Sequence, residues 1–168
     1  MQHTSTPTRA LLAPAALLAA IVVGATAVAC GSDSTTTPAA KPTYAATLSG
    51  ASEVPAKTVT GTGTATIVKT DASTYTYTIV YNGLSGTLTG GHIHGPAAVG
   101  VNAPVIVPFP NATGAAGSGT LSGTFTATNT TAITNDSLDV LLKSGNAYVN
   151  LHTAANGGGE IRGQLAKQ

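Results

Sequence analysis

Three histidines form the one set of side chains here suited to joint chemistry. They are His92 and His94 in Gly90-Gly-His-Ile-His-Gly-Pro96, and His152 in Tyr148-Val-Asn-Leu-His-Thr153. No other histidine lies beyond His3, and only 8% of the residues are charged, so a polar cluster stands out. On a strand, residues i and i+2 project from one face about 6.5–7 Å apart, so His92 and His94 can aim at one point. With His152 they would make a three-histidine site for Cu²⁺ or Zn²⁺ that leaves one coordination position open, with Glu160 as fourth ligand or as support behind the ligands. Ligand nitrogens within about 4 Å of one another are the geometry that reading needs. The competing reading is structural. In it the imidazoles bond to loop carbonyls while Asn150, Glu160 and Arg162 form a polar network that locks the hairpin, since polar groups under a loop need partners.

The elements that must position these residues are strands. Thr, Val and Tyr recur with period two between Gly, Pro, Asn and Asp, the pattern of short antiparallel strands. The pattern predicts strands at Tyr44–Leu48, Gly61–Lys69, Thr74–Tyr81, Thr87–His94, Pro104–Phe109, Gly119–Ala127, Ala147–Thr153 and Glu160–Leu165. Asn135 to Gly145 reads instead as a short helix, with an Asn/Asp cap, an apolar stripe of Leu138, Leu141 and Leu142, and a terminal glycine. The fold class is therefore all-β: a single antiparallel β-sandwich or Greek-key barrel with one short helix.

Parity then sets the faces. Val149, Leu151, Ile161, Leu165 and Ile93 turn inward, which sends Tyr148, Asn150, His152, Glu160, Arg162, His92 and His94 to the outer, polar side near loops. A hairpin closed by Gly157-Gly-Gly159 brings His152 near Glu160 or Arg162. Gly90, Gly91, Gly95, Gly157, Gly158 and Gly159 are read as turn residues of positive φ, or else as places where backbone approaches a ligand. Tyr75, Tyr77 and Tyr81 share one face and line the edge of the core with their hydroxyls toward water, a stacking platform being the alternative.

Composition excludes several classes. From Thr43 to Gln168 five bases (Lys57, Lys69, Lys143, Arg162, Lys167) balance five acids (Glu53, Asp71, Asp136, Asp139, Glu160). A neutral domain without basic runs has no electrostatic footprint for nucleic acid. No paired carboxylates or nucleophile elbow select an enzyme, and Gly117-Ser-Gly-Thr-Leu-Ser-Gly123 precedes no helix pattern, so it is no dinucleotide loop. Asn111-Ala-Thr113 and Asn129-Thr-Thr131 match glycosylation acceptors but read as loop residues.

The N-terminus addresses the chain. Arg9 precedes an apolar run from Ala10 to Ala29, and Ala27-Val-Ala leads into Cys30, the single cysteine. Residues 1–29 have the pattern of an export signal. Its junction at Cys30 resembles the lipobox of bacterial lipoproteins, which implies that Cys30 is lipidated and holds the protein to a membrane of the cell envelope. The resemblance departs at Ala27, where leucine is usual, and an uncleaved membrane anchor is the alternative. Residues 30–42 are small, polar and proline-bearing, a flexible tether ahead of a domain at 43–168.

Four motifs resemble the CHRD domain, named for chordin. They are Leu48-Ser-Gly-Ala-Ser-Glu-Val-Pro55, Gly91-His-Ile-His-Gly95, Asn102-Ala-Pro-Val105, and Tyr148-Val-Asn-Leu-His-Thr153 with Gly159-Glu-Ile-Arg-Gly-Gln164. The resemblance runs from about Tyr44 to Leu165 and implies an all-β domain outside the cell, with no established activity. The chain is read as a non-catalytic binding or interaction module whose protein or small-molecule partner the residues do not name. A looser likeness is to copper/zinc superoxide dismutases, which also carry His-x-His on a strand. Those enzymes use more histidines and an aspartate, so their activity does not carry over.

Overall fold

The computed structural model describes residues 39–127 and 133–168. The export signal, Cys30, most of the tether and Asn129-Thr-Thr131 lie outside the described residues. Pro38–Gln168 forms one compact unit.

Nine strands form a single antiparallel sheet: β1 (Thr43–Ser49), β2 (Thr62–Lys69), β3 (Thr74–Asn82), β4 (Leu88–His94), β5 (Val105–Pro108), β6 (Gly119–Thr126), β7 (Tyr148–Thr153), β8 (Ile161–Gln164) and β9 (Ala166–Lys167). The order is β5-β4-β7-β8-β1-β2-β3-β6, with β9 added beside β1. Eight strands answer to the eight expected, their ends shifted by at most one residue. The sheet curls into a nearly closed barrel around a core of Tyr44, Leu48, Ile67, Ile79, Ile93, Val149, Leu151 and Ile161, all 0% exposed.

In β3 the alternation buries Tyr75, Tyr77 and Tyr81 and exposes Thr78 and Val80. The tyrosine hydroxyls do not reach for water as parity had suggested. Tyr75 donates to Asn135 and Asp139, Tyr77 to Asn111 Oδ1 (2.8 Å) and Tyr81 to the Ala116 carbonyl (3.0 Å). A buried phenol favours a partner, and here α1 supplies it for Tyr75 and loop residues supply it for Tyr77 and Tyr81.

The helix α1 spans Asn135–Ser144 and buries Leu138 and Leu142. Its cap is Thr134 rather than Asn135 or Asp136; the Thr134 hydroxyl accepts from the Ser137 N–H, and Gly145 ends the helix. Asp139 pins α1 to the barrel through Lys69 of β2 and the Tyr75 hydroxyl.

The faces of β4, β7 and β8 follow parity, but the outer face is not open. Tyr148, Asn150, Arg162 and His94 are 2%, 4%, 2% and 8% exposed. Two loop segments lie over this face and bond to it. Arg162 reaches Val101 and Asn102, the Ala103 N–H reaches Tyr148, Gln164 reaches Ala97, and Asn102 ties the upper loop to Val54. The polar side of these strands is thus a second buried layer, in which a polar group left without a partner is costly.

Candidate metal centre

The strand pairing β4–β7 builds the centre. Gly90 lies opposite His152, His92 opposite Asn150 and His94 opposite Tyr148. One face of two neighbouring strands therefore carries all three histidines, and their candidate ligand atoms all lie within 4.8 Å of one another. The closest pair is His92 Nδ1 and His152 Nε2 at 3.2 Å. Two ligands about 2.0–2.1 Å from a tetrahedral ion stand about 3.3 Å apart, so this pair already has the spacing of shared coordination. The group as a whole spans up to 4.8 Å, so closing on one ion would draw its ligand atoms together by up to about 1.5 Å. His92 and His152 are only partly buried, which leaves them room to move.

Second partners set the tautomers. His94 Nδ1 lies 2.9 Å from the Ala103 carbonyl and His152 Nδ1 lies 3.0 Å from the Gly157 carbonyl. A carbonyl only accepts, so both Nδ1 atoms carry the proton and both Nε2 atoms hold a lone pair. This is the arrangement by which a metal-ligating histidine is oriented from behind. The Nε2 of His94 is buried and has no hydrogen-bond partner. In the metal-free centre His92 Nδ1 donates to His152 Nε2; an ion would take that proton's place while the proton moves to His92 Nε2.

The environment keeps the three rings neutral. Burial, then repulsion from His152 and His94, pushes His92 down to about 4. Burial also lowers His94 and His152, against the hydrogen bonds to Ala103 and Gly157, and the charges of His152 and Arg162 lower His94 further. Neutral imidazole is the form that binds metal.

Tyr148 supports the centre in a way that the spacing of the histidines alone does not reveal. Its ring stacks on His94 at 4.9 Å with a 4° interplanar angle, and the Arg162 guanidinium sits 3.4 Å over the same ring. Its hydroxyl accepts from the Ala103 N–H at 3.1 Å, the residue whose carbonyl orients His94. Parity had placed Tyr148 on this face; the loop contact with Ala103 carries no periodic signal. Gly90 is a strand residue, not a turn of positive φ, and an added Cβ there would come 3.0 Å from His92 Cε1. Of the six glycines read as turns, only Gly159 has positive φ (125°).

Glu160 goes elsewhere. It follows Gly159, lies just outside β8, and does not keep the parity of Arg162. Its fully buried carboxylate accepts from the Ser85 N–H (2.7 Å), the Ser85 and Thr153 hydroxyls and the Asn156 amide (3.1 Å). Burial favours its acid form, but these hydrogen bonds outweigh it and hold the group below the usual carboxylate range. The group converging on the histidines does not include it. The expected network of Asn150, Glu160 and Arg162 is accordingly divided. Glu160 ties the hairpin to Ser85, Arg162 ties β8 to Val101 and Asn102, and the Asn150 amide faces Glu53 Oε2 at 3.5 Å. Glu53 sits in the loop after β1, where no strand pattern points to it. Burial raises it to about 7 against the pull of Arg162 and Asn150.

None of the curated proteins or solved structures compared with the chain matches it. The profile of the CHRD domain matches residues 44–165, a span that takes in every strand from β2 to β8, all but the first residue of β1, and all three histidines. With the barrel and its motif-bearing strands in place, this match shows that the chain belongs to the CHRD domain family.

Proposed function

We propose that this chain is an exported, lipid-anchored CHRD protein whose domain is a non-catalytic binding module, and that it binds Zn²⁺ or Cu²⁺ through His92, His94 and His152. The observation that carries the reading is the buried, unpartnered Nε2 of His94, converging with the other two imidazoles. A buried acceptor without a partner costs about 1–3 kcal/mol, and an ion in the centre would relieve that cost. The carbonyl locks on His94 and His152, and the lowered affinity of all three rings for protons, support the same reading. The structural alternative rests on the same carbonyl contacts of His94 and His152, together with the His92–His152 contact.

Metal analysis of the purified chain after reconstitution is the direct test. Stoichiometric Zn²⁺ or Cu²⁺ is expected, lost in His94→Ala and in His152→Ala; no uptake of either ion overturns the reading. The anchor rests on the signal-like N-terminus and the single cysteine. Cys30→Ser is expected to release the protein from membranes, and retention would favour an uncleaved anchor.

A further inference from the structure

The charge balance of the centre points to what else it takes. Three neutral imidazoles supply no negative charge to a divalent ion, and every acid of the described residues is engaged elsewhere or stands apart. Asp71 accepts from the Ser73 and Thr74 N–H groups in a turn. Asp139 is held by Lys69 and Tyr75, and Asp136 lies in the first turn of α1. Glu160 is held by Ser85, Thr153 and Asn156. Glu53 points at Asn150 and Gly159, its Oε1 lying 2.7 Å from where a Gly159 Cβ would stand. None of them joins the converging ligands.

A cation, Arg162, lies one tyrosine ring away from His94. A divalent ion here would therefore keep its charge, with no acid of the described residues among the converging ligands, and Arg162 nearby is faced only by Glu53, which burial pushes toward its uncharged acid form. Low-dielectric surroundings make that imbalance felt. His92 and His152 remain partly exposed, so the open position is reachable from solvent.

We propose that the open coordination position of this centre takes a small anionic donor of the carboxylate class in preference to a neutral ligand, with Arg162 strengthening the preference. The inference rests on the metal reading above. The anion completes coordination and supplies the negative charge that the protein withholds. Arg162 acts through its field and holds no coordination bond. Its fork is occupied by Asn102, Val101 and the face of Tyr148.

The test uses the purified full chain loaded with Cu²⁺, or with Co²⁺ as a coloured substitute for Zn²⁺, titrated with acetate, azide and acetamide, the uncharged isostere of acetate. Acetate and azide are expected to shift the visible spectrum at lower concentration than acetamide. Arg162→Met is expected to weaken both anions about three- to tenfold and leave acetamide unchanged, with Arg162→Lys restoring most of the loss. Acetamide binding as well as the anions in the unaltered protein overturns the proposal, as does equal weakening of all three probes in Arg162→Met. If Arg162→Met does not fold, the comparison of probes in the unaltered chain decides. Failure to take up metal at all removes the underlying reading; uptake without anion preference removes only this inference.

Discussion

The Nδ1 of His92 lies 3.2 Å from the Nε2 of His152, so imidazoles from two neighbouring strands are joined by a hydrogen bond. The contact arises from the pairing that sets Gly90 opposite His152 and His92 opposite Asn150. It joins these two rings and leaves His94 Nε2 buried without a partner.

Acid should unfold the metal-free domain through this cluster. All three histidines have lowered proton affinity in the folded state, His92 down to about 4 from an ordinary 6.5. The unfolded chain therefore binds more protons between these values, so stability is full above about pH 6.5 and is lost as pH falls toward 4. For His92 the loss is about 1–2 kcal/mol, less than the full shift implies because the ring is half-buried. Denaturant melts from pH 7 to pH 4 measure it, with His92→Asn as the comparison. An equal acid loss in that variant would assign the effect to other groups.

Glu160→Gln separates the structural network from the metal centre. Gln would set an amide donor against the Ser85 N–H and the hydroxyls of Ser85 and Thr153, all of which now point at a carboxylate. The expected cost is about 2–3 kcal/mol of stability, with uptake of Zn²⁺ or Cu²⁺ by the folded protein unchanged. Chemical denaturation and metal titration on the same sample test both halves. Lost metal affinity at full folding would place Glu160 back among the supports of the centre.

Tyr148→Phe keeps the ring on His94 and removes the hydroxyl that accepts from Ala103. The loop carbonyl that orients His94 is then held less firmly. Metal affinity should fall about tenfold or more, as it does when groups behind a ligand are removed. Stability should drop by only about 1 kcal/mol. Isothermal titration and thermal melts distinguish this from a general loss of packing, which would move the melt far more than the affinity.

Local pattern sufficed for the strands, because each needs only alternating residues and a turn at its end. Thr74–Asn82 shows it: tyrosines and Ile79 inward, threonines and Val80 outward, with Asn82-Gly83 closing the run. The two-residue strand Ala166–Lys167 was invisible for the opposite reason, since so short a run has no period. The Thr134 cap was missed because Asn135 and Asp136 beside it are equally good caps by type.

The centre divides along the same line. Parity alone puts His92, His94, Tyr148, Asn150 and His152 on one face, since slipping any strand by one residue would bury its polar set and expose Ile93 or Leu151. Parity fails at Glu160, where Gly159 at φ 125° interrupts the strand and turns the carboxylate toward Ser85. Residue spacing along the chain thus determined the barrel, the shared face and the identity of the three imidazoles, because a period-two backbone needs no knowledge of distant contacts. Only the tertiary structure decided that loops from Val54 and from Ala97 to Ala103 cover that face, that carbonyls fix two tautomers, and that no acid of the described residues joins the histidines. Those outcomes depend on irregular segments crossing a sheet, where backbone hydrogen bonds are made between residues remote in sequence and no repeating pattern records them.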